Sequence, residues 1–194
     1  MSPGALVWTV STAARLPLIS IPLFLALGVA GAESVLAGVL WAALCLLFTA
    51  GISTLYLEYL RRSVRLGDPG RLARGGRLRP LRVVAAQCLA AWALVSLLGV
   101  PFALGSLVLL YALLATLLAV LAPEEEVSLH AAGVCGGAVA LTHAFGPWGM
   151  LALLLLPPVW WARAATGRHT HQELGLGALA GALGGLAIFL LTGG

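Results

Sequence analysis

The chain contains no lysine and a single aspartate, Asp68, and only 9% of its 194 residues are charged. Soluble domains carry about 25% charged residues, so this scarcity excludes an ordinary soluble fold. One aspartate also excludes the aspartate-rich signatures by which metal-dependent prenyl and phosphatidyl transferases hold their cations. Cysteine is equally thin. Cys45, Cys88 and Cys135 lie far apart in apolar stretches without C-x-x-C spacing, which gives neither a disulfide framework nor a zinc site. They read as small buried hydrophobes. No basic segment followed by a cleavage site opens the chain, so no signal peptide is expected and the first apolar segment is retained.

What remains is apolar. Hydrophobic residues make up 61% of the chain, with 24 glycines spread between the apolar runs and a mean hydropathy of +1.03. This is the composition of an integral membrane protein whose helices approach closely. A membrane-crossing helix needs about 20 apolar residues, and seven stretches qualify: 14–32, 35–57, 81–99, 102–122, 128–145, 148–163 and 174–192. The expected fold is all-α, a polytopic transmembrane bundle forming one domain over 1–194. It has six spans if 1–32 does not fully cross and seven if it does. Glu33-Ser34, Gly99-Val100-Pro101 and Gly146-Pro147 carry turn chemistry, and Pro17, Pro22, Pro157 and Pro158 are expected to kink helices rather than end them.

The charges sort by side. An arginine-rich loop over 58–80 is the longest polar segment, and alternate crossings place it with Arg15, Glu124–Glu126 and the 163–173 segment. The opposite face carries Glu33 and no arginine. By the positive-inside rule the arginine-rich face is cytoplasmic. Arg61, Arg62 and Arg65 read as topology determinants and headgroup contacts, Glu124–Glu126 as a solvated loop, and His143 as a residue of the other face. In the last span Gly177, Gly181 and Gly185 fall four apart, a spacing that allows close packing within the monomer or a homodimer seam.

Three segments at the arginine-rich face carry chemistry. Arg163, His169 and Glu173 stand in the order R-x5-H-x3-E within W-A-R-A-A-T-G-R-H-T-H-Q-E; Val127-Ser128-Leu129-His130 opens the fifth span; Arg77-Leu78-Arg79-Pro80 closes the loop. A guanidinium, an imidazole and a carboxylate at one boundary suffice to bind a phosphate, attack it and orient the attacker. Taken singly, Arg163 and Arg168 are also what snorkelling helix-end arginines look like.

The order of these segments resembles the type 2 phosphatidic acid phosphatase (PAP2) superfamily, in the manner of a small, divergent prokaryotic branch. That pattern is K-x6-R-P, then P-S-G-H, then S-R-x5-H-x3-D. Here Arg163 and His169 match, Glu173 stands in place of aspartate and Ala162 in place of serine. Ser128 and His130 match, with Val127 and Leu129 replacing proline and glycine. Arg79-Pro80 matches, while Leu72 occupies the lysine position, a charge that Arg71 or Arg74 could supply only with a shifted backbone. The likeness covers roughly 56–185, with the second and third motifs in a core over 123–185.

The resemblance implies a PAP2-like helical core and a phosphatase or diphosphatase without metal or cofactor. It would act on a lipid phosphate, such as a prenyl diphosphate or phosphatidate, in a prokaryotic cytoplasmic membrane, with membrane lipids and no nucleic acid as partners. It also implies roles. His169 attacks phosphorus and becomes a phosphohistidine. Glu173 fixes its tautomer. His130 protonates the leaving group and then helps activate water. Arg79, Arg163 and Arg74 hold phosphoryl oxygens, and Ser128 donates one further hydrogen bond.

Overall fold

A computed structural model describes residues 16–63, 74–121, 127–167 and 169–191; of 16–19, 61, 63, 74–79, 121 and 191 it describes the backbone alone. All regular structure among these residues is helical. The elements are α1 (Leu16–Gly31), α2 (Val35–Leu46), a π-helical segment (Leu47–Gly51), α3 (Ile52–Ser63), α4 (Arg74–Leu97), α5 (Phe102–Leu121), α6 (Leu129–Phe145), a 3-10 segment (Gly146–Leu155), α7 (Leu156–Ala165) and α8 (His171–Leu191). Five helical runs are long and apolar enough to cross a membrane: Val35–Leu60, Pro80–Leu97, Phe102–Val120, Leu129–Ala165 and His171–Leu190. Their outward faces are leucine and valine. Leu36, Leu55, Val120, Leu154 and Leu190 are all exposed, which suits hydrocarbon rather than water as the surrounding medium.

The Leu129–Ala165 run is 37 residues long, which as a straight helix at about 1.5 Å per residue would extend roughly 55 Å. It is instead folded back on itself. Gly146 adopts a positive φ of 64° and ends α6, Pro147 follows, and Gly149 on the returning leg packs so tightly against α6 that an added Cβ would lie 2.1 Å from the Thr142 amide nitrogen. The return leg differs from the expected helix over 148–163: it is 3-10 to Leu155 and α-helical only from Leu156. Pro157 and Pro158 lack the N–H groups that would bond back to Leu153 and Leu154. The α-ladder cannot cross that point, and the prolines fall in the first turn of α7, where donors are unpaired in any helix.

α5 occupies the middle of the bundle. It packs on α4, α6, α8 and α1, while α1 lies on α2 and α6, and α6 pairs most extensively with α8. The α1–α2 crossing is a glycine contact: an added Cβ on Gly38 would meet the Gly28 carbonyl at 2.6 Å. Ser34 starts α2, its Oγ accepting the Ala37 N–H at 3.2 Å. The π-segment widens the helix so that carbonyls of Phe48 and Thr49 turn outward. Gln87 of α4 satisfies them, its amide nitrogen donating to Phe48 while its oxygen accepts from Ser53 at 2.6 Å.

α6 and α8 run parallel. Added Cβ atoms on Gly177, Gly181 and Gly185 would meet Ser128 O at 2.3 Å, Ala132 O at 2.1 Å and Val139 Cβ at 3.2 Å. The glycine stripe is thus consumed by packing within the monomer. A homodimer through this helix would have to use its outward leucines, Leu179, Leu183 and Leu186. The arginine-rich 58–80 stretch, expected as a loop, is helical at both its described ends, α3 continuing to Ser63 and α4 beginning at Arg74; 64–73 lie outside the described residues. Arginine is a good helix former, and no helix breaker precedes Gly67.

Candidate active site

Parallel packing of α6 and α8 sets two helix starts side by side, and the α6–α7 hairpin returns the end of α7 to the same place. The junction is a main-chain hydrogen bond: Ser128 N–H donates to the Glu173 carbonyl at 3.1 Å. Both dipoles present their positive ends here, an electrostatic setting that favours an anion.

His130 is the second residue of α6, and Arg163 lies in the last turn of α7. Arg163 Nη2 rests against the imidazole edge, 2.6 Å from Nδ1 and in contact with Nε2. A guanidinium has donors only, so the ring nitrogen that accepts from it presents a lone pair. Ser128 is the N-cap residue of α6 in extended conformation, but its side chain caps nothing. Its Oγ is fully buried with no hydrogen-bond partner among the described residues.

Beyond Arg163 the chain turns sharply. Thr166 Oγ1 donates to the Ala162 carbonyl at 2.7 Å, and Gly167 takes a positive φ of 62°, the left-handed residue that closes a helix C-terminus. His169 follows, just ahead of α8. Its Nδ1 lies 3.0 Å from Glu173 Oε2, with both side chains about four-fifths buried (19% and 22% exposed). The carboxylate that meets His169 also accepts the Thr170 amide at 3.2 Å, and Thr170 Oγ1 accepts the Glu173 amide at 3.3 Å. This is a capping box, T-x-x-E, with Thr170 as the N-cap.

The His169–Glu173 contact implied by the resemblance therefore does not require the two residues to share a helical face. His169 precedes the helix, and the contact is made through the cap. The box also accounts for glutamate at this position, because the side chain must reach back across a full turn to the N-cap amide.

A further pair closes the same end. Trp160 Nε1–H donates to His171 Nδ1 at 2.8 Å, and the two rings are stacked, tying α7 to the first turn of α8. Spacing gave no sign of this pair, whereas the Thr170 cap was readable as T-H-Q-E. His143 belongs to the far end, between Phe189 and Phe102 with ring centroids at 4.6 and 6.1 Å.

Contacts thus join Arg163 to His130, Ser128 to Glu173, and Glu173 to His169 at one end of the bundle. Arg74 and Arg79 lie in the first two turns of α4, a helix packed on α5 and the π-segment; their side chains fall outside the described residues. No protein-family model matches the chain, and comparisons with curated proteins and with solved structures also find no match.

Proposed function

We propose that the chain is a PAP2-like membrane phosphatase or diphosphatase that hydrolyses a lipid phosphate of the prenyl diphosphate or phosphatidate class through a phosphohistidine. The observation that carries this reading is the junction of α6 with α8, where the His130–Arg163 pair and the His169–Glu173 pair are joined through the Ser128–Glu173 main-chain bond.

The chemistry rests on named atoms. Glu173 holds Nδ1 of His169 and so leaves Nε2 as the nucleophile. Nε2 forms a bond to phosphorus as the bond to the leaving oxygen breaks, and His130 delivers a proton to that oxygen. Water then attacks phosphorus, passes a proton to His130 and releases phosphate from His169. Arg163 binds the phosphoryl oxygens, with Arg79 and Arg74 as further candidates and the buried Ser128 hydroxyl as an additional donor. Because Arg163 rests on His130 in the ligand-free protein, an incoming phosphate competes for that guanidinium. Its capture frees the His130 ring to carry a proton.

Counting α1, the α2–α3 run, α4, α5, α6, the 146–165 leg and α8 as separate crossings would give seven. On that count the site would lie at the arginine-rich end, which the positive-inside rule assigns to the cytoplasm. A lipid-phosphate binding protein without turnover is the second reading. The use of Glu173 in the helix cap and the Arg163–His130 contact favour it, since both side chains already have structural work.

One assay decides between them. Purified protein given a prenyl diphosphate or phosphatidate in EDTA should release phosphate, and His169→Ala should abolish release while retaining lipid-phosphate binding. Full turnover in His169→Ala would remove the phosphohistidine mechanism. Binding without turnover in the wild-type chain would establish the second reading.

A further inference from the structure

On the opposite flank of α5 from the candidate site, α4 and α5 border an open surface groove of about 460 Å³. α4 contributes Arg82, Ala85, Ala86 and Leu89; α5 contributes Thr116, Ala119 and Val120. Three alanines form much of the lining, and their small side chains keep the space open. Thr116 adds little polarity, since its hydroxyl donates to the Ala112 carbonyl at 2.8 Å. Arg82 is the single charged side chain of the lining, and it is exposed.

Position gives the groove its occupant. Arg82 is the third residue of the apolar Pro80–Leu97 run, within about 3 Å of its arginine-rich end at 1.5 Å per residue. Leu89 lies roughly 13 Å along the same run, close to the midplane of a hydrocarbon core about 30 Å thick. The groove therefore reaches from headgroup level through one leaflet, with a cation at its outer end and an apolar trough below. We infer that it is a binding site for an anionic phospholipid, whose phosphate pairs with Arg82 and whose acyl chain lies along the exposed Ala86, Leu89 and Val120. This site is separate from the α6–α8 junction and does not rest on the phosphatase reading.

The test uses a phosphodiester lipid that a phosphomonoesterase would not cleave. The full-length His169→Ala protein is placed in phosphatidylcholine nanodiscs carrying a trace of phosphatidylglycerol with a diazirine on its acyl chain. After illumination, labelled peptides should map to 82–89 and 116–120, and the same diazirine on phosphatidylcholine should label them several-fold less. Arg82→Gln should weaken phosphatidylglycerol labelling about fivefold, the worth of one arginine near a headgroup plane. Arg82→Lys should keep most of it, and Ala86→Phe should block labelling by filling the trough while leaving Arg82 in place. Equal labelling by the two lipids, or unchanged labelling in both Arg82→Gln and Ala86→Phe, would overturn the inference. Competition by millimolar inorganic phosphate would overturn the lipid assignment.

Discussion

Gly177→Ala probes the α6–α8 junction through a single methyl group. The added Cβ would sit 2.3 Å from the Ser128 carbonyl oxygen and 3.2 Å from its amide nitrogen, where ordinary contact begins at 3.4 Å. The obstacle is backbone, so no rotamer change relieves it and the helices must part by about 1 Å. Overpacking of this kind costs about 1–3 kcal/mol, against which alanine recovers about 1 kcal/mol of helix propensity. The net expectation is about 1 kcal/mol of destabilisation, a fall in Tm of roughly 2–4 °C for a chain of this size. Function should suffer more. The displaced Ser128 adjoins His130, and a misplacement near 1 Å costs roughly 100-fold in rate. Gly175→Ala is the control on the same helix, because its Cβ would lie 3.7 Å from the Trp160 ring; its Tm should hold or rise with activity intact. The two variants are compared by thermal unfolding in detergent and by phosphate release in EDTA. If Gly177→Ala matches the wild type in both, the close α6–α8 approach is not what assembles the site.

Three further perturbations address separate contacts. Thr170→Ala removes the N-cap and should cost about 1 kcal/mol of stability with turnover largely kept, whereas Glu173→Gln, whose amide oxygen can still complete the box, should keep its stability and lose phosphate release; unchanged release in Glu173→Gln would reduce Glu173 to a capping residue. Gln87→Leu strips the partner from the Phe48 carbonyl and should lower stability by about 1–3 kcal/mol, read by thermal unfolding, and an unchanged Tm would show that the π-segment satisfies its own carbonyls. A cysteine introduced at Ser63 should be shielded from an impermeant thiol reagent in intact cells and become reactive on permeabilisation; rapid labelling before permeabilisation would reverse the orientation.

The helical, membrane-embedded character of the chain was legible because composition and run length are one-dimensional properties. The turns at Gly99 and Gly146 were legible for the same reason: a positive φ selects glycine, and proline follows each within two residues. The geometry of individual elements was less accessible. Nothing in Leu47–Gly51 announces a π-turn, since its signature is the Gln87 side chain arriving from another helix. The 3-10 leg does not differ from an ordinary helix in sequence, because its leucines satisfy the same apolar pattern in either winding. For the candidate site, the R-x5-H-x3-E order sets His169 four residues before Glu173, and the cause of their contact is also written locally, in the T-x-x-E capping box. The His130–Arg163 contact depends on the hairpin bringing together residues 33 positions apart, and no local spacing encodes such a meeting.

The capping box has a bearing on how the protein comes into being. Its carboxylate holds the His169 ring in the same act by which the last described helix begins, and the neighbouring carbonyl fastens that helix to α6. During synthesis the α6–α7 hairpin emerges first and can bring Arg163 onto His130 without any help from α8. The imidazole partner is ordered only once α8 is inserted and seated. A nascent chain short of that step would hold an arginine and a histidine already docked, yet lack a fixed His169 ring. On the phosphatase reading proposed above, such a chain would have no turnover until its assembly was finished.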